Sequence, residues 1–188
     1  VINEYKKILF YKKKIKFVYQ NMPLGTGDAV IKTKKHIKDK FFLLLLPDDL
    51  IVKRNCSKDM INAYKRYRCS MMASMKVNKN NVDRWGIFKI EKILNKKNFT
   101  IKDVVEKPTK VEAPSNNAVI GRYILSKDIF KYLKNQKKGR GGEIHITDAI
   151  RKMIFNNHRF IGHKFSGQYL DCGSMSGYIN SGIKISKL

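Results

Sequence analysis

The stretch from Phe41 to Leu46 reads Phe-Phe-Leu-Leu-Leu-Leu and ends at Pro47. Successive side chains of a strand point to opposite faces, so six consecutive apolar residues would bury both faces at once. Such a strand requires layers above and below it, which predicts a central strand of a covered sheet. Immediately after Pro47 stand two carboxylates, Asp48 and Asp49. In open α/β sheets ligands bind outside the carboxyl ends of the strands. Adjacent carboxylates there repel one another unless a cation or hydrogen-bond donors are near. Hard oxygen donors suit Mg²⁺, while Pro-Asp-Asp is equally good turn chemistry. This stretch alone leaves the two readings balanced.

The flanking pattern supports a layered fold. Residues 3–14 carry apolar positions at helical spacing, 15–20 read as a short strand, and 21–27 as a Pro- and Gly-containing loop. A helix is predicted over 28–39, with Asp28 in its first turn. Another is predicted over 57–68, capped by Ser57, with Met60, Ile61 and Tyr64 on one face. Residues 69–77 read as a strand. Three strand-like stretches follow, at 85–93, 98–108 and 116–126, with no helix between the first two. A helix over 127–135, a glycine-containing loop, a helix capped at Thr147–Asp148, two short strands and a last partial helix complete the chain. The expectation is an α/β fold with a mixed, mainly parallel sheet flanked by helices, in a single domain over residues 1–188.

Composition narrows the function classes. At 43% hydrophobic over 188 residues the chain carries enough apolar surface for a core. No apolar run approaches the roughly 20 residues of a membrane span, and the N-terminus reads as lacking a signal peptide. The three cysteines, Cys56, Cys69 and Cys172, have no metal-ligand spacing and read as reduced thiols of a cytoplasmic protein. The four histidines also share no ligand spacing. The net charge of +25 comes from 32 Lys and only 8 Arg. Readers of nucleic acids and phosphates favour the planar fork of Arg. These lysines are spread along the chain, so no specific nucleic-acid surface is expected, although polyanions will be attracted non-specifically at low salt.

A second carboxylate tips the balance at Asp48. "YLDCGS" repeats the design of a short apolar strand, then Asp171, then Gly173 and Ser174 opening a helix. Two strand-end aspartates far apart in sequence can converge on one metal. "PLGTGDA" is neither a dinucleotide fingerprint nor a Walker loop, but Gly25 and Gly27 permit close backbone approach. "VVEKP" places Glu106 and Lys107 at a strand end.

Taken in order, "PLGTGDA", "LLPDD", "RWGIF", "VVEKP", "APSNNAVIGRYIL", "GGEIHITDAI" and "YLDCGSMSGY" resemble the bacterial-type UTP–glucose-1-phosphate uridylyltransferases over nearly all of residues 18–179. The resemblance implies a nucleotide-diphospho-sugar transferase fold. It also implies Mg²⁺-dependent conversion of UTP and glucose 1-phosphate to UDP-glucose and pyrophosphate. By the same carry-over, Gln20 and Gly25 would contact uracil, and Asp48 would bind the metal with Asp49 beside it in the nucleotide site. Gly86 and Gly121 would lie against the sugar, Glu106 would hold its hydroxyls, Lys107 would hold phosphate, and Asp171 would be the second metal ligand. The family's opening strand and GxGTRxxPxTK loop have no counterpart here. Asp28 stands where many members have His, and His145 where Gln is common. Three expectations follow: part of a working uridylyltransferase, an inactive fragment of that family, or a basic nucleic-acid-binding module on the same fold. Thymidylyl- and cytidylyltransferases share the fold and remain neighbouring readings. Weak self-association is expected, because the family is often oligomeric.

Overall fold

The computed structural model describes residues 2–12 and 14–188. Its elements are α1 (Ile2–Lys12), α2 (Thr26–Lys32), β1 (Phe41–Leu45), β2 (Asp49–Val52), α3 (Cys56–Tyr67), β3 (Ser70–Lys76), β4 (Gly86–Ile93), β5 (Asn98–Glu106), β6 (Asn117–Ser126), α4 (Ile129–Lys134), α5 (Ile146–Phe155), β7 (Phe160–Lys164), β8 (Gln168–Asp171) and α6 (Met175–Ile185). Six strands form a mixed sheet in the order β1-β6-β3-β7-β5-β4, and β2 pairs with β8 in a separate ribbon.

Each face of the sheet carries its own core. On one side α2, α4 and α5 close over Phe88, Phe99, Phe130 and Ile150. On the other, Met60 of α3 meets Met71, Ile120, Ile124 and Ile161, with Ile51 and Tyr169 of the ribbon packed against them. The β1 side chains divide as period-two alternation requires: Phe42 and Leu44 enter the first cluster, Phe41 and Leu43 the second. Both faces are therefore covered, but less fully than expected, because Phe41–Leu44 are half-buried and Leu45 is 48% exposed. The strand's place also differs from expectation. It lies at the sheet edge, paired only with β6 among the described residues.

The share of parallel pairing is also smaller than expected. Only β3–β7 pair in parallel among the described residues. The physical reason is that β6 is inserted antiparallel between β1 and β3, and β5 packs antiparallel on β7. Strands running in one direction are thereby separated by neighbours running the other way. All ten residues of β6 are buried, and it pairs with β1, β3 and, at Ala118, β4.

Three local expectations change. Residues 15–20 form no ladder, and Ile15, Phe17 and Tyr19 are 53%, 79% and 85% exposed. Apolar alternation makes a strand only where a neighbour supplies backbone partners. The cap of α3 is Asn55, whose side chain accepts from the Lys58 amide at 3.0 Å, so Ser57 lies inside the helix. His145 takes the position before α5, and Thr147 is already helical and buried. Among the described residues no helix is long and apolar enough to cross a membrane.

Candidate active site

The chain leaves β1 at Leu45, turns at Pro47 and Asp48, and enters β2 at Asp49. In the ribbon Asp49 lies opposite Asp171, and the Cys172 amide donates to the Asp48 carbonyl at 2.7 Å. The two strand-end aspartates are thus brought together, as their repeated design suggested. Gly173 sits between them. A Cβ at that position would lie 3.1 Å from Asp48 Oδ2 and 3.3 Å from Asp171 Oδ1. Two hard oxygen donors around a position that holds no side chain form a cradle suited to a divalent cation, with its other coordination sites left to water or phosphate. Among the described residues no third His, Cys, Asp or Glu joins a metal-holding group. Asp171 also accepts from the Gly173 amide at 2.9 Å and pairs with Arg84.

Asp49 has a different fate. Its Oδ2 accepts from the Gly121 amide at 2.6 Å and its Oδ1 from the Tyr169 hydroxyl at 2.5 Å. Burial raises its carboxyl above the usual range, the two hydrogen bonds oppose that rise, and the charge of Asp48 adds to it. Both oxygens are committed inside the protein, so Asp49 braces the Asp48 turn against β6. A Cβ at Gly121 would come within 2.5 Å of Asp49 Oδ2 and of Leu46 Cβ. This glycine is accounted for by the packing behind the turn.

Gly86 and Glu106 are register partners at the β4–β5 end, and a Cβ at Gly86 would sit 3.2 Å from Glu106 Oε2. Lys107 follows with φ +45°, its amide donating to the Trp85 carbonyl at 3.0 Å. Left-handed backbone at a non-glycine residue is uncommon and recurs at functional sites. Tyr123 ties these groups together. Burial holds its hydroxyl far above the usual tyrosine range, and the charges of Glu106, Asp49 and Asp48 push the same way. A buried phenol on β6 therefore senses carboxylates from two separate segments, the Asp48–Asp49 turn and the end of β5.

Gln20 and Gly25 also meet: Gln20 Nε2 donates to Gly25 O at 3.2 Å and to Asp28 Oδ2 at 2.7 Å. Asp28 is buried and only accepts, so it fixes which end of the amide points its way. The glycines of this loop approach protein backbone closely. Cβ atoms at Gly25 or Gly27 would each lie 2.8 Å from Ile144 O, and the Gly27 amide donates to that same carbonyl at 2.7 Å. The start of α5 therefore joins the "GTGDA" loop to the neighbourhood of Gly86, where Thr147 Cγ2 lies 3.5 Å from a Cβ placed on the glycine. Sequence reading missed Tyr169, Tyr123, Arg84 and the structural part played by Asp28. The first could have been found from its position, two residues before Asp171 on the same ribbon. The others depend on contacts between distant segments.

The nucleotidyl transferase family model matches residues 2–187. A UTP–glucose-1-phosphate uridylyltransferase of Pseudomonas aeruginosa is 39% identical over 170 residues, covering 88% of this chain and 60% of the relative. The structure of a UDP-glucose pyrophosphorylase complexed with UDP-glucose superposes with TM-score 0.86 at 38% identity, covering 92% of this chain and 66% of the other. An apo UDP-glucose pyrophosphorylase gives TM-score 0.87 at 37% identity, covering 98% and 69%. The chain spans about 60% of the length of the curated relatives it matches.

Proposed function

The chain belongs to the nucleotidyl transferase family, and we propose that it takes part in forming UDP-glucose and pyrophosphate from UTP and glucose 1-phosphate. The observation that carries this reading is the convergence of Asp48 and Asp171 on Gly173. The similarity to a UDP-glucose pyrophosphorylase complexed with UDP-glucose supports it.

In this reaction a phosphate oxygen of glucose 1-phosphate forms a bond to the α-phosphorus of UTP as the bond to the pyrophosphate oxygen breaks. Both reactants are anions, and the attacking oxygen is already ionised, so no general base is required. The catalytic demand is charge neutralisation and in-line placement. Asp48 and Asp171 would hold Mg²⁺, which when bound neutralises phosphate charge and orients the phosphates. Lys107 supplies a second positive charge beside the phosphates. Glu106 accepts from glucose hydroxyls, and Gly86 leaves the room for the sugar to reach it. Gln20, with its Nε2 engaged by Asp28 and Gly25 O, presents its Oε1 as an acceptor. That suits the N3–H donor of uracil and disfavours cytosine, whose N3 accepts. Asp49 and Gly121 keep the Asp48 turn in place.

Calorimetric titration of this chain with UDP-glucose, with and without Mg²⁺, tests the reading. Saturable binding that tightens with Mg²⁺ is the expected result. No binding by a folded sample overturns it.

A further inference from the structure

A cavity of about 420 Å³ lies between the end of β1, the loop from β2 to α3, and Arg122 of β6. Eight residues line it, and Lys53, Arg54 and Arg122 among them carry fixed positive charge. No carboxylate lines it. Cys56 does, but burial pushes its thiol up to about 11, so it adds no negative charge near neutral pH.

Arg122 is the unusual member. It is only 9% exposed. Its Nη1 donates to the carbonyls of Leu46 at 3.0 Å and Gly121 at 2.8 Å, both neutral acceptors. Among the described residues it has no carboxylate within ion-pair distance. Asp49 feels its charge, but both Asp49 oxygens are taken by Gly121 and Tyr169. The Nε and Nη2 of Arg122 have no acceptor among the described residues. Neither atom is among the sealed orphans of the interior, which are Ser74 Oγ, Asn117 Oδ1, Gln136 Oε1 and His163 Nε2, so both stay open to the cavity. A buried cation without a counter-ion is costly, and an anion beside it offsets that cost.

The cavity also receives the N-terminus of α3. The Lys58 amide is capped by Asn55 Oδ1 and the Asp59 amide by Asn55 O. The amides of Cys56 and Ser57 have no acceptor among the described residues, and the dipole of this 12-residue helix favours an anion there.

We propose that this cavity binds the phosphate group of a small molecule, held by Arg122, Arg54, Lys53 and the Cys56 and Ser57 amides. It is separate from the Asp48–Asp171 cradle and does not depend on the uridylyltransfer reading. Because Arg122 also holds the carbonyl of Leu46, two residues before Asp48, a phosphate here is connected mechanically to the turn that presents Asp48.

The test is amide-resolved NMR of the full chain, without Mg²⁺ and at constant ionic strength near 0.15 M. It is titrated with inorganic pyrophosphate and, in a second arm, with adenosine monophosphate. Saturable shifts at the Cys56 and Ser57 amides are expected, weakened about tenfold or more in the doubly substituted Lys53→Gln/Arg54→Gln chain, in keeping with the loss of charge-assisted contacts. Shifts in both arms identify the phosphate group as the element recognised; shifts with pyrophosphate alone identify the inorganic ion. Either supports the site. Lys53 and Arg54 lie on the loop before α3, so the double substitution spares the buried Arg122 and the core. UDP-glucose binding is expected to survive it, which separates failure here from failure of the active-site reading. Absent shifts at Cys56 and Ser57 overturn the proposal. So does unchanged affinity in the double variant, or an equal loss when Lys34, Lys35 and Lys38 are changed to Gln instead.

Discussion

Asp48 and Asp49 are neighbours in sequence with opposite environments. Asp48 faces the cradle at Gly173, while Asp49 is locked between Gly121 and Tyr169. Their substitutions should therefore separate. Asp48→Asn is expected to remove the Mg²⁺ dependence of UDP-glucose binding while leaving the urea midpoint nearly unchanged. Tyr169→Phe takes a hydrogen-bond donor from a half-buried carboxylate and is expected to cost about 1–3 kcal/mol of stability, measured by urea unfolding. His163 makes a pH prediction. It is buried, with Nδ1 2.8 Å from Asn98 Oδ1, and burial together with the charge of Lys97 lowers its pKa below the ordinary 6.5. The unfolded chain then binds a proton that the folded chain refuses. Stability is complete above about 6.5 and is lost as pH falls through that value toward the folded pKa. Melting curves should show this fall between pH 7 and 5, and His163→Gln should flatten it.

Among the elements, the seam between β5 and β7 is the tightest test of packing. Phe99 lies opposite Gly162, and a Cβ on that glycine would fall 2.1 Å from the Phe99 ring. Gly162→Ala is expected to destabilise by about 3 kcal/mol, at the upper end of the usual overpacking range, because both groups are held in the central sheet. Further along β5, Arg151 of α5 makes two hydrogen bonds to Asp103 at 2.9 and 3.0 Å. This bidentate pair fixes α5 on the sheet, and α5 in turn carries the Ile144–Thr147 segment that the "GTGDA" loop leans on.

For the whole molecule, the net charge of +25 sets the electrostatic background. Like charges spread over one small surface repel, and salt screens them with a Debye length of about 8 Å at 0.15 M. Raising salt from low to physiological strength is expected to raise the melting temperature. A chain whose stability rested on surface ion pairs would show the reverse. The four salt bridges found among the described residues are too few to oppose the excess of cations.

Much of this protein was written in local order along the chain. The six-residue apolar run demanded two covered faces, and Phe42 and Leu44 do enter one core while Phe41 and Leu43 enter the other. The strand-to-carboxylate pattern, repeated at Asp48 and Asp171, located the candidate site, because a strand end and its turn are encoded by neighbouring residues. Strand order was not so encoded. The antiparallel insertion of β6, which moved β1 to the edge and left one parallel pair, depends on pairings with β1 across 77 to 85 positions and with β3 across 41 to 53. The unpaired segment 15–20 shows the same limit, since alternation describes a strand's faces and says nothing of who lies beside it. The bracing contacts of Asp49 and Gly121 were not legible in the sequence for a related reason. A carboxylate's task is set by which donors reach it, and those donors, the Gly121 amide and the Tyr169 hydroxyl, arrive from 72 and 120 residues away.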